Sequence, residues 1–417
     1  MAETHTVIEQ TFRQESGRVL AALISSLRDF ELAEDVLHDA LVVALERWPT
    51  DGIPHNPGAW ITTTARRKAI DRLRRAQNFA AKQQLLIELT SPDETEMDEI
   101  PDERLKLIFT CCHPALSPEA QVALTLRTLC GLDTAAIASA FLVPVPTMAQ
   151  RLVRAQRKIK QAGIPYRVPP VELLAERLEA VLTVIYLIFN EGYIASSGDS
   201  LVRQELCQEA IRLARILNEL LADDPALDEN AEAWGLLALM LLHDGRRAAR
   251  LSPSGELILL EEQDRTLWDR AQINEGIAIL EHALARGQAG PYQIQAAIAA
   301  LHGEATTPAA TDWAQIAALY GQLYRFQPTA VVALNQAVAV AMAEGPMKGL
   351  TLLDRLGENE VLQNYHLYHA ARADLLRRAG WYAAAAEAYA VALALTQNNV
   401  ERTFLQRRLA EVEVLMG

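Results

Sequence analysis

Over most of the chain apolar residues recur three and four positions apart, the spacing of helices that bury one face. From Glu31 to Trp48, Ala33, Leu37, Ala40, Leu41, Ala44 and Trp48 share one such face, while Glu34, Asp35, His38 and Asp39 point away from it. A second helix is predicted from about Pro57, carrying Arg66, Arg67, Lys68, Arg72, Arg74 and Arg75 with Asp71 as its one acid. Residues 5–77 therefore read as a helical unit ending in a basic helix. The pattern breaks over residues 78–102, where Ser91 to Asp102 is acidic, proline-flanked and poor in apolar positions, which predicts a flexible linker.

Helical periodicity resumes at Glu103 and runs to about Gly163, so residues 103–163 form the next unit. Gly131 to Phe141 predicts a helix capped by Asp133 with Ile137, Ala138 and Phe141 inward. Leu142 to Val145 makes a turn, and Pro146 opens the next helix, where a missing amide hydrogen costs nothing. That helix turns Leu152, Ala155 and Ile159 inward and leaves Thr147, Gln150, Arg151 and Arg154 outward, with Arg157 and Lys158 following. Gly163 to Pro170 is a second hinge, because its closely spaced prolines cannot continue a helix.

Residues 171–417 are nearly all amphipathic helix, with Ala330–Ala343 paired to Pro346–Leu356 and Tyr365–Ala379 paired to Trp381–Leu395. In the second pair Ala385 and Ala392 put small residues where helices must approach, and Trp381, Tyr382 and Tyr389 cover the gap. No segment reads as strand–turn–strand, so an all-α fold is expected, in two or three compact units for 417 residues.

A formal net charge of -14 excludes a general attraction for nucleic acid, so cations gathered on two helices must serve local purposes. Their density suits phosphates, since each neutralised phosphate releases counterions; for either helix alone a solvated cationic face is the other reading. Cysteines at 111, 112, 130 and 207 are too few for a disulfide framework. Cys111-Cys112-His113 continues the apolar pattern of Leu107 and Ile108 and has no second ligand pair at zinc spacing, so core packing is expected, with no metal and no cofactor. Met1 to His5 lacks the basic-then-apolar run of a signal peptide. Ala180 to Phe189, the longest apolar run, is about half of a bilayer crossing, so a cytoplasmic chain without a membrane partner is expected. Glu191, Glu262 and Arg250 suggest an active site only at first glance. No nucleophile, metal-ligand set or glycine-rich phosphate loop accompanies them, so a non-enzyme is expected, and the polar segments His243 to Arg250 and Leu260 to Trp268 form either a protein-binding or signal-sensing groove or inter-helix salt bridges.

The helices at 31–48 and 57–75 resemble region 2 of bacterial RNA polymerase sigma factors of the short extracytoplasmic-function type. The helix pair at 131–160 is similar to region 4. The resemblance implies that Asp35, Asp39 and Trp48 dock on a coiled coil of core RNA polymerase. It further implies that the loop from Pro49 to Pro57 and the basic helix, with Trp60, Arg66, Arg67, Lys68, Arg72, Arg74 and Arg75, read the minus-ten element of promoter DNA and hold an unstacked base. The family's Ala-Arg-Asn stands here as Ala65-Arg66-Arg67, and Trp60 is either a stacking surface or a core anchor. Thr147, Gln150, Arg151, Arg154, Arg157 and Lys158 would meet the minus-thirty-five element in a major groove, although Leu142 replaces the usual turn glycine.

The acidic linker corresponds to a segment that threads the polymerase cleft, where seven acids from Asp93 to Glu103 would imitate nucleic acid, or it is a plain tether. Residues 171–417 resemble the tetratricopeptide-like C-terminal domain of one sigma-factor subgroup, best over Pro328 to Leu395. The resemblance implies regulation through a regulatory protein or an intramolecular contact. A helix-turn-helix regulator with a repeat-type sensor, acting without polymerase, is the rival reading. It leaves the region-2-like helices unexplained.

Overall fold

The computed structural model describes residues 2–75, 102–141, 143–193, 203–222, 230–396 and 398–416, with side chains from Glu15 onward except those of Arg75, Ser139 and Val171. The expected linker at 78–102 lies outside the described residues apart from Asp102. Among the described residues the fold is all-α, with 19 α-helices and one isolated antiparallel bridge between Leu251 and Leu257. The chain divides into two compact units, 1–187 and 188–417.

In the first unit α1 (Ala2–Leu27), α2 (Phe30–Asp51) and α3 (Pro57–Arg75) each pack on the other two. Asp29 caps α2 by accepting from the Leu32 amide at 3.1 Å, and Gly52 ends it with a φ of 86°. Asn56 Oδ1 accepts from the Ala59 amide at 3.0 Å and Pro57 fills the first turn, so α3 starts where the sequence suggests. Ala33, Leu37, Ala40, Ala44 and Trp48 are buried as expected, joined by Val36, whereas Leu41 is half-buried.

The next four helices are α4 (Arg104–Cys111), α5 (Pro118–Thr128), α6 (Thr134–Ala140) and α7 (Val145–Gln161). Asp133 Oδ1 accepts from the Ala136 amide at 2.6 Å, Ile137 and Ala138 are buried, and Phe141 is half-buried. The buried stripe of α7 is Met148, Leu152, Ala155 and Ile159. Cys111 and Cys112 are core residues, their sulfurs 3.3 and 3.7 Å from the hydroxyls of Thr128 and Thr125. Burial pushes the Cys112 thiol up to about 12, so it stays protonated and unreactive. The proline-rich hinge is non-helical, and Tyr166 in it donates to the Ala21 carbonyl at 2.9 Å, tying this group back to α1.

The unit boundary falls inside α8 (Val171–Tyr193). In the second unit α9 (Gln204–Ala222), α11 (Arg270–Leu284) and α12 (Pro291–Glu304) all pack on α10 (Ala231–Asp244), whose near-complete burial follows from a sequence apolar on every side. The remaining helices are α13 (Trp313–Phe326), α14 (Ala330–Glu344), α15 (Pro346–Leu356), the short α16 (Glu360–Gln363), α17 (His366–Arg378), α18 (Tyr382–Leu395) and α19 (Asn399–Met416); each packs on the next except that α15 packs on α17 and α16 on α14 and α17. The two pairs expected from the sequence are α14/α15 and α17/α18. Ala385, Tyr389 and Ala392 are buried as expected, but Trp381 covers no gap and is 51% exposed, because it precedes the first turn of α18.

Helices α14 and α15 approach most closely at Gly349. A Cβ there would stand 2.3 Å from Ala341 Cβ and 2.9 Å from the Ala337 carbonyl oxygen. Gly349→Ala is therefore expected to lower stability by about 1–3 kcal/mol through overpacking, read as a lower urea midpoint of the full chain.

Candidate polymerase and nucleic-acid interfaces

Helix α2 presents its acids directly to the basic helix. Arg72 spans Asp35 and Asp39, with Nη1 2.6 Å from one carboxylate and Nη2 2.7 Å from the other. All three side chains are at least one-third exposed, so these pairs contribute only about 0–1 kcal/mol each and exchange readily for another partner. Arg67 and Arg74 are exposed beside them, and Arg66 and Lys68 are half-buried. The side chain of Arg75 lies outside the described residues.

Trp48, expected on the polymerase-docking surface, is 3% exposed and stands in the seam between α2 and α3. Its ring meets that of Trp60 edge-on, 5.5 Å between centroids at 65°, and Trp60 is itself half-buried. The pair sets the distance between the acidic and basic helices.

Five of the six residues expected to face duplex DNA gather in one place. Thr147, Gln150, Arg151, Arg154 and Lys158 line a concavity of about 500 Å³ on one side of α7. Its opposite wall is the first turn of α5, where Ser117 caps the helix and Pro118 follows. Ser117 Oγ accepts from the Ala120 amide at 3.4 Å, and Glu119 of the same turn also lines the space, its carboxyl held below the usual range by its own backbone amide, Ser117 and Arg151, so the α7 cations face one acid as well as a helix N-terminus. Arg157 departs from this set, lining instead a cavity of about 960 Å³ between α7 and the start of α2.

That second cavity borders a contact the sequence reading missed. Glu34, expected outside, lies partly buried between Arg127 of α5 at 3.7 Å and Gln156 of α7, whose amide donates to it at 3.3 Å. The cause is the packing of α1 on α4 and α5, which brings the start of α2 under α7. Partners 93 and 122 positions away leave no local signal; the lone hint is an acid one place nearer the apolar stripe than Asp35.

In the second unit the residues weighed as an active site are not brought together. Glu191 pairs with Arg203 at 2.6 Å, Glu262 with Arg408 at 2.7 Å, and Arg250 lies over the Tyr193 ring. Among the described residues no three His, Cys, Asp or Glu side chains are placed to hold a metal, and no helix is long and apolar enough to cross a membrane.

These surfaces coincide with two family matches, Sigma-70 region 2 over residues 11–79 and Sigma-70, region 4 over residues 106–159. The chain carries the region 2 and region 4 domains of a sigma-70 factor. A sigma factor directs RNA polymerase to promoters, which makes core polymerase and promoter DNA its partners. Residues 177–284 match a family of unknown function (DUF6596). An uncharacterized protein of Rhizobium meliloti (strain 1021) is 42% identical over 399 residues, covering 94% of this chain and 92% of the relative, so the similarity extends through the helices beyond region 4. No solved structure matches the chain.

Burial, opposed by Arg127, pushes the Glu34 carboxyl above its usual range. A raised folded pKa means that ionised Glu34 is worse placed in the folded than in the unfolded sigma factor, so the group costs stability as pH rises from the ordinary carboxyl range. Glu34→Gln keeps an acceptor for Gln156 and is expected to raise the denaturation midpoint at pH 7, the gap to wild type closing as pH falls toward about 4. A lowered midpoint at pH 7 would show instead that the attraction of Arg127 dominates.

Proposed function

We propose that this chain is a sigma factor of the extracytoplasmic-function type whose α2 acids dock on core polymerase, whose α3 engages the minus-ten element and whose α7 reads the minus-thirty-five element. The observation that carries this reading is the concavity at α7, where Thr147, Gln150, Arg151, Arg154 and Lys158 face the N-terminus of α5. Duplex DNA supplies both things this surface lacks, phosphates for the cations and base edges for Thr147, Gln150 and Arg151. Phosphate at the α5 N-terminus fixes the register of α7 in the groove.

At the other interface, a cationic partner on Asp35 and Asp39 displaces Arg72, which then joins Arg67 and Arg74 in meeting the promoter strand. Polymerase docking and DNA engagement are linked in this way at small cost, because the pairs being exchanged are exposed. The second unit, whose α14/α15 and α17/α18 pairs resemble tetratricopeptide repeats, regulates the factor through a contact of its own and performs no chemistry. The site of action is that of the polymerase, the cytoplasm.

Run-off transcription from genomic promoter fragments with core polymerase tests the reading. The full chain is expected to direct initiation, and Arg151→Ala with Arg154→Ala to reduce it at least tenfold, since each lost base or phosphate contact removes about 1–3 kcal/mol. Asp39→Ala should weaken co-purification with core polymerase while leaving the fold intact. Retention of duplex DNA by the full chain without polymerase, together with no run-off product, would favour the helix-turn-helix regulator instead.

A further inference from the structure

The second unit gathers four arginines, two of them buried, that pair with no carboxylate among the described residues. Arg246 is 4% and Arg250 7% exposed. Arg246 donates from Nε to the Leu242 carbonyl at 3.2 Å, and its Nη2 is 2.8 Å from His243 Nδ1. Arg250 donates to the Tyr193 carbonyl and stacks on that residue's ring at 3.7 Å. Arg265, Arg270 and Arg246 surround the indole of Trp268 at 4.6, 5.2 and 5.9 Å. Arg265 donates to the carbonyls of His302 and Ala305, and Arg270 to that of Gly303.

Every one of these acceptors is neutral. Carbonyls satisfy donors and add partial negative charge, yet they cannot cancel the formal charge of buried Arg246 and Arg250 or half-buried Arg265, whereas Arg270 is exposed to solvent. Nearby acids are committed elsewhere: Asp244 to Arg247 at 2.7 Å and to Gln272 at 3.0 Å, Asp264 and Asp269 to the amides of Thr266 and Gln272. Burying an ion without a counter-ion is costly, and the shortfall shows in the neighbours. Burial first, then Arg246 and Arg265, bring the His302 imidazole down to about 4, so it is neutral at pH 7.

A cavity of about 510 Å³ opens beside this group. Arg265 and His302 form one part of its wall, and His302 stands edge-on to Trp313, 5.1 Å between rings at 72°. Its ring nitrogens have no hydrogen-bond partner among the described residues, and Arg265 Nε has none either. Leu259, Val338 and Met342 with Trp313 make the apolar part. The remaining charged wall is already closed on itself, since Arg378 holds Glu261 and Asp374 at 2.7 Å each. The space thus has an apolar body, a cationic end with an imidazole free to donate, and a size suited to a small organic molecule.

We propose that this cavity binds a small organic carboxylate, its anionic head at Arg265 and His302 and its apolar or aromatic body against Trp313, Val338 and Met342. The carboxylate supplies the counter-charge that Arg265 lacks, and neutral His302 donates one hydrogen bond to it. Phosphate monoesters share the anionic head, but the narrow polar end beside a largely apolar wall favours the smaller, singly charged group. The site is independent of the sigma reading, because it lies wholly within residues 259–378.

The test is isothermal titration of the full chain with 3-phenylpropanoate, the uncharged 3-phenylpropanamide and phenyl phosphate, alongside straight-chain alkanoates of six to ten carbons. At least one carboxylate is expected to bind at least twentyfold tighter than the amide and to raise the melting temperature. Arg265→Gln should weaken it at least tenfold, and Arg265→Lys should recover part of the loss. Arg265 also caps α12, so Val338→Phe provides a variant that fills the cavity without touching a charge; it should abolish binding with the circular dichroism spectrum unchanged. Equal binding of acid and amide, wild-type affinity in Arg265→Gln, preference for phenyl phosphate, or no carboxylate bound at about 10 mM, the weak limit of specific recognition, would each overturn the proposal.

Discussion

An acidic chain can offer cations to DNA only if its own carboxylates are kept from covering them, and that constraint shapes the whole first unit. Helix α7 carries Arg151, Arg154, Arg157, Lys158 and Lys160 with no acid among them, and its buried stripe of Met148, Leu152, Ala155 and Ile159 fixes which of these face outward. Gln150 and Arg151 are thereby aimed at the first turn of α5, whose one acid, Glu119, lies in the field of Arg151. On α3 the same problem is met differently. There one arginine, Arg72, holds both Asp35 and Asp39, which leaves Arg67 and Arg74 free of those acids.

The two arrangements differ in what a partner must displace. Around α7, among the described residues, no close ion pair has to open, since Glu119 acts on Arg151 only through its field and Asp29 stands 3.9 Å from Lys160, and counterion release drives association with phosphates. Between α2 and α3 two exposed ion pairs must open, at a cost of about 0–1 kcal/mol each. Glu34 joins the two groups, since Arg127 and Gln156 reach it from α5 and α7. A change at that carboxylate is therefore felt by both modules.

Much of this was legible in the sequence because it depends on local rules. The apolar stripes of α2 and α7, the Asp133 cap, Pro57 in the first turn of α3 and the proline-rich hinge all follow from spacing and backbone chemistry. The family matches agree with the two resemblances drawn from those stretches. What escaped were contacts between distant segments: Glu34 with Arg127, Trp48 turned into the seam with Trp60, and Arg157 turned away from the other α7 cations. The gathering of Arg246, Arg265 and Arg270 around Trp268 escaped for the same reason, since the three come from separate turns. The polar stretch from His243 to Arg250 did stand out; its purpose required the end of α12 to be in place.

The central claim is that α3 and α7 engage one promoter together, and only when the chain is bound to polymerase. Photocrosslinking from a benzoylphenylalanine at position 67 and, separately, at position 150 tests it most directly. In complexes with core polymerase, position 67 should label the non-template strand near the minus-ten element and position 150 the duplex near minus thirty-five, both labels vanishing when polymerase is omitted. Labels of equal strength without polymerase, or labelling from position 150 alone, would contradict the account.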